Sequence, residues 1–128
     1  MVMADIDGSE GLERFVQAQE GVYEQALREI RGGQKQSHWM WFVFPQLEGL
    51  GFSSMSQRYA VRGRVEADLY LGHPVLGPRL VEICQAVLAC EGRSAHDIFD
   101  SPDDMKLRSC ATLFAQVAGP ASVFARIL

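Results

Sequence analysis

The sequence predicts one compact, all-α or predominantly α domain of about five to seven helices, with room for one short extended segment. Three observations carry this reading. Apolar residues recur at three-to-four spacing over long stretches, as one buried face of a helix requires. Serine, proline and glycine stand where helices start and stop. No alternating run or hairpin turn marks a sheet, and no internal repeat is seen.

Residues 1–11 read as an acidic, glycine-containing flexible lead-in, and residues 12–128 as the domain. Leu12, Phe15, Val16, Ala18, Tyr23, Ala26, Leu27 and Ile30 form the first helical stripe, with Gly21 as a point of weakness and Gly32-Gly33 as the stop. SHWMWFVF fits a strand or two turns of helix equally, and Pro45 ends either one. Gly49 and Gly51 mark a tight loop. QRYAV reads as a short extended piece, and RVEADLYL as a helix turning Val65, Leu69 and Tyr70 inward. His73-Pro74 opens a helix with the stripe Val75, Leu76, Leu80, Ile83, Cys84, Val87 and Leu88, ending near Gly92. Ser94 with Asp97 forms a capping box for a helix of one or two turns ending around Phe99. Ser101-Pro102-Asp103-Asp104 reads as a capping serine, a first-turn proline and two acids at the positive end of a helix dipole. That helix carries Met105, Leu107, Cys110, Leu113, Phe114 and Val117, and a short one holding Val123, Phe124 and Ile127 follows Pro120.

The chain has 128 residues, 48% of them hydrophobic and 22% charged, enough apolar material for one core and too little charge for disorder. A net charge of -4 gives no general attraction to nucleic acid polymers or anionic membranes, so neither is expected as a partner. WMWFVF is far shorter than a membrane span, and MVMADIDGSEGLE does not resemble a secretory signal. Cys84, Cys90 and Cys110 match neither a disulfide framework nor a zinc ribbon and read as buried free thiols, which favours a reducing, cytoplasmic setting. The sequence implies no cofactor and no metal. His38, His73 and His96 share no ligand spacing, and the usual phosphate-loop, dinucleotide, zincin and nucleophile-elbow motifs are missing.

The patch that can carry chemistry is Ser37-His38-Trp39-Met40-Trp41, closing with Phe44-Pro45-Gln46. Each indole N–H needs a partner when buried, so two tryptophans in three residues are a costly way to fill a core. They point to opposite faces of a strand and about 200° apart on a helix, so at most one shares a surface with His38. An indole face with Gln46 and His38 suits a planar ligand, and Arg58 can hold a phosphate or carboxylate. Asp103 and Lys106 share a helix face. The candidate catalytic residues are His38, Asp103 and Lys106, and the candidate substrate-binding residues are Trp39, Trp41, Gln46, Arg58 and His73. In this reading His38 or Asp103 handles a proton while Arg58 or Lys106 holds negative charge, for binding or hydrolysis of a nucleotide-like or sugar-phosphate ligand. The alternatives are a protein-interaction module without chemistry and a homo-oligomer subunit, a homodimer being open.

The segments KQSHWMWFVFPQLEGLG, QRYAV, HPVLGPRL and IFDSPDDMKLRS, followed by TLF, resemble DUF1810, an uncharacterised bacterial family, from about Phe15 to Leu128. Members are sometimes labelled calpastatin, but the inhibitory regions of calpastatin are disordered repeats, whereas this chain is single-copy and core-rich. The resemblance implies a small, mostly helical protein and brings no established activity. Its pattern includes Ser37, His38, Trp39, Trp41, Gln46, Tyr59, His73, Gly77, Asp103, Lys106 and Ser109; at Arg62 the chain departs from the small polar residue frequent in relatives.

Overall fold

The computed structural model describes residues 9–128. Of the predicted lead-in over residues 1–11, residues 1–8 lie outside the described residues, and residues 9–11 instead belong to a 3-10 turn at Ser9–Leu12 that enters the domain. Leu12 is fully buried. Nine α-helices follow among the described residues, more than expected because several are only one turn long.

The first amphipathic stripe folds as two helices. α1 spans Glu13–Gln19 and α2 Tyr23–Arg31, separated by a turn in which Gly21 takes φ +74°. A residue without Cβ enters that left-handed region without strain, so the weak point in the stripe becomes a bend. The ambiguous SHWMWFVF run forms only a single helical turn, α3 at Met40–Val43, before Pro45. α4 occupies Ser54–Arg58, capped by Ser53, whose Oγ accepts from the Ser56 amide. The expected extended piece is therefore shorter than predicted. Gln57 and Arg58 are helical, and only Val61 bridges in parallel to Leu47. α5 runs Arg64–Gly72, α6 Leu76–Leu88, α7 Ala95–Phe99, α8 Asp103–Ala118 and α9 Val123–Ile127.

The predicted capping box at Ser94 and Asp97 is present. The cap expected from Ser101 is not: α8 begins after Pro102 without a side-chain cap, and the Asp104 carboxylate accepts from the Met105 amide. α6 begins later than its proline suggests: Val75 stands at its N-cap, and the His73 Nδ1 accepts from the Val75 and Leu76 amides just before the helix. Two residues assigned inward face out, since Val65 is 75% and Met105 61% exposed.

α6 packs against α2, α5 and α9, and α8 against α5, α7 and α9. Aromatic rings fill the space between the helices. One file runs Phe42, Tyr59, Phe15, Tyr70, Phe114 and Phe124, with neighbouring centroids 5.2–5.9 Å apart. A second joins Trp39, Phe44 and Phe99. These separations fit tilted and edge-on ring pairing. Gln19 is buried in this apolar setting, and its Nε2 donates to the Phe42 carbonyl at 2.7 Å and the Tyr70 hydroxyl at 3.2 Å. Its Oε1 accepts from Arg79, so the buried amide fastens α1 to three other segments. Cys84 and Cys110 are buried and Cys90 is half-buried, all three free. Burial pushes the Cys84 thiol up to about 12.

The tightest approach is at Gly77, in the first turn of α6, where an added Cβ would stand 2.0 Å from the Leu71 carbonyl oxygen. Backbone cannot rotate aside as a side chain can. Alanine gains roughly 1 kcal/mol in helix propensity, but overpacking costs about 3 kcal/mol. Gly77→Ala is expected to destabilise the fold by about 2 kcal/mol, read as a lower urea midpoint; a midpoint at or above wild type would overturn this account.

Candidate functional site

The site is built outward from Glu29, near the C-terminal end of α2. Its Oε1 accepts from the amides of Gln36 and Ser37 at 2.8 and 3.0 Å and from the Trp39 indole N–H at 2.9 Å. Its Oε2 accepts from the Ser37 hydroxyl at 2.7 Å. Partial burial opposes the charge, yet these donors outweigh it and hold the Glu29 carboxyl down at about 2. The segment after α2 is thereby folded back onto the helix that precedes it.

This tie decides which tryptophan reaches the surface. Trp39 is fully buried with its N–H satisfied by Glu29. Trp41, in α3, is half-buried and forms one wall of a cleft of about 270 Å³. Gln46, Leu47, Leu50 and Gly51 extend that wall, with Ser56 and Tyr59 from the α4 region. The opposite wall is Pro102, Met105, Lys106 and Ser109, whose spacing places them on one face at the start of α8. The outward turn of Met105, missed in the sequence, is what completes this wall.

Lys106 stands with its Nζ 5.4 Å from the Trp41 ring centroid, within cation–π range. Behind it, Asp103 Oδ1 lies 3.6 Å from Lys106 Nζ, while Oδ2 lies 2.9 Å from Lys35 Nζ. Lys35 also donates to the Ser37 carbonyl at 2.5 Å and sits 5.0 Å from the Trp39 ring centroid. Two lysines and one carboxylate thus link the Glu29-tied segment to α8.

Of the residues proposed from sequence, Trp41, Gln46 and Lys106 line this one cleft, and Asp103 touches it through Lys106. The others are placed apart. His38 is exposed and outside the lining, and Trp39 belongs to the core. Arg58 faces a neighbouring depression with Arg62 and Glu48. His73 engages its Nδ1 with the Val75 and Leu76 amides and borders a separate hollow with Asp68. Sequence reasoning missed Glu29, Lys35 and Ser56 as site residues, and named Tyr59 and Ser109 only as part of the family pattern. The one local signal for them is a glutamate at the polar edge of α2, eight residues before a serine that needs a partner.

The lining combines an indole face, an amide, hydroxyls and one ammonium. The ionisable side chains among the lining residues are Tyr59 and Lys106. Among the described residues no three His, Cys, Asp or Glu side chains are grouped to hold a metal ion, and no helix is long and apolar enough to cross a membrane.

Residues 9–128 match the family described as a protein of unknown function, DUF1810. The crystal structure of the conserved hypothetical protein Rv1873 from Mycobacterium tuberculosis aligns with a TM-score of 0.88 at 49% identity, covering 91% of this chain and 84% of that one. No curated protein matches the chain.

The Glu29 carboxylate sets an acid dependence. Folding lowers its pKa, so its contribution is full above about pH 4.5 and is lost as pH falls toward 2. Allowing for solvent screening of a partly exposed group, that contribution is about 1–2 kcal/mol. Glu29→Gln is expected to be less stable at neutral pH and to converge toward wild type in acid. Urea midpoints across this range check it, and parallel curves for the two proteins would contradict the assignment.

Proposed function

The chain belongs to the DUF1810 family, and we propose that its Trp41 cleft binds a small ligand with a flat face and an anionic group, of the nucleotide or sugar-phosphate class. The observation that carries this reading is the convergence of Trp41 and Gln46, from one stretch of the chain, with Lys106, from a distant one, on one concave surface. Ligand sites combine mostly apolar walls with a few placed polar groups, and typically measure about 300–1,000 Å³. At about 270 Å³ the cleft stands near the lower end of that range, which favours a small ligand such as a single sugar phosphate or mononucleotide.

Each lining group has a task in this reading. Stacking on the indole contributes about 1–3 kcal/mol. A charge-assisted bond from Lys106 to an anionic oxygen contributes a similar amount, about 1.5–3 kcal/mol. Gln46, Ser56 and Ser109 offer donors and acceptors to ring and hydroxyl edges.

Binding is favoured over hydrolysis because a hydrolytic step needs a group free to take a proton from water. Asp103 is engaged by Lys35 and Lys106. His38, the other candidate base, stands outside the lining. A second reading, docking of a protein partner, is favoured by the apolar rim: Leu50 is 57%, Met105 61% and the adjacent Phe52 90% exposed.

Calorimetric titration with mononucleotides, nucleosides and sugar phosphates separates the two. At least one phosphorylated compound is expected to bind wild type, and Trp41→Leu and Lys106→Met are each expected to weaken it about tenfold or more. Failure of every compound, or full affinity in both variants, would overturn the ligand reading and leave the partner reading.

A further inference from the structure

We infer that Lys35, which does not line the cleft, is the residue that keeps it cationic: as counter-ion of Asp103, it leaves the charge of Lys106 to an anionic ligand. This deepens the binding reading and rests on it for its biological sense, although the charge arrangement can be measured without a ligand.

The bookkeeping is local. Asp103 stands between two ammonium groups, Lys35 at 2.9 Å and Lys106 at 3.6 Å. The shorter contact is also the better shielded, with the Lys35 side chain 9% exposed against 25% for Lys106. One carboxylate cannot neutralise two lysines, so the trio carries one net positive charge. Lys35 is fixed where it is: its amide donates to the Ile98 carbonyl, its Nζ donates to the Ser37 carbonyl, and the Trp39 ring lies beneath it. The surplus charge therefore resides on Lys106, the member that reaches the cleft. The neighbouring carboxylate on α8, Asp104, lies against His96 at 3.3 Å and makes no ion pair with Lys106.

Without Lys35, the same Asp103 becomes the counter-ion of Lys106 and the cleft loses its net charge. Lys35 is thus a positioning residue, acting on a ligand only through Asp103. A merely structural Lys35 would harm the site regardless of what stood at position 103. A charge-setting Lys35 is rescued when the carboxylate is removed as well.

The test uses the half-buried Trp41 as the sensor, since Trp39 is sealed in the core. Fluorescence quenching by iodide reports negative-ion access, and quenching by neutral acrylamide reports steric access alone. At low ionic strength, where surface potentials are least screened, the iodide-to-acrylamide ratio is expected to fall about twofold or more in Lys35→Met. It should return to the wild-type value in Lys35→Met/Asp103→Asn. Should Lys35→Met alone fail to fold, Asp103→Asn carries the test, with a ratio above wild type expected. An unchanged ratio in Lys35→Met, no recovery in the double variant, or an unchanged ratio in Asp103→Asn overturns the inference. Titration of the same proteins with adenosine monophosphate and inorganic phosphate separates the two levels. Quenching ratios as expected, with no binding to wild type, would sink the ligand reading and leave the charge assignment standing. Binding to wild type that is equally tight in Lys35→Met, with unchanged ratios, would do the reverse.

Discussion

The arrangement of the site depends on one carboxylate. Glu29 collects the amides of Gln36 and Ser37, the Ser37 hydroxyl and the Trp39 indole N–H. A chain leaving a helix ordinarily gives its amides to water or to further backbone. Here four donors converge on a single side chain, which folds the departing segment back along α2. With Trp39 anchored, the following turn delivers Trp41 to the opposite side, and Lys35 is brought against Asp103, 68 residues later. The core, the ion trio and the cleft wall all follow from this one local knot.

How far the sequence discloses this structure depends on the range of the forces involved. Features decided by neighbours in the chain are readable: the bend at Gly21, the capping box at Ser94 and Asp97, and the stripe of α6 need only nearby residues. Features decided by tertiary contacts are not. SHWMWFVF has no periodicity of its own, and its conformation is set by Glu29 and Gln19, which lie outside it. Met105, grouped with the inward residues of α8, stands about 200° around the helix from Leu107 and faces the cleft, where residues 41–51 leave it partly uncovered. The start of α6 lies beyond its proline, and a histidine ring accepts from the Val75 and Leu76 amides there.

The candidate site shows the same division. Trp41, Gln46 and Lys106 are recognisable by the ligand contacts their side chains can make, and they line one cleft. His38, Arg58 and His73 have equally suggestive chemistry and point elsewhere. Residue type indicates what a side chain can do; only the packing of distant elements decides what it faces. That Trp39 and Trp41 part company was legible from geometry alone, whereas which of them turns inward was not, because the deciding partner lies in the preceding helix.

The cleft takes its walls from residues 41–51, 56–59 and 102–109, and no contiguous stretch supplies both faces. Occupancy and folding are therefore one coupled equilibrium: any molecule seated in the cleft lined by Trp41 and Lys106 binds the assembled chain and has nothing comparable to hold in the unfolded one. By mass action such a molecule present at a hundredfold its dissociation constant adds about 2.7 kcal/mol to the whole domain. That is a substantial share of the 5–15 kcal/mol on which small domains persist. With the proposed ligand seated, the cleft would act as a thermodynamic clasp, through which the abundance of that ligand governs how long the protein survives as much as what it does.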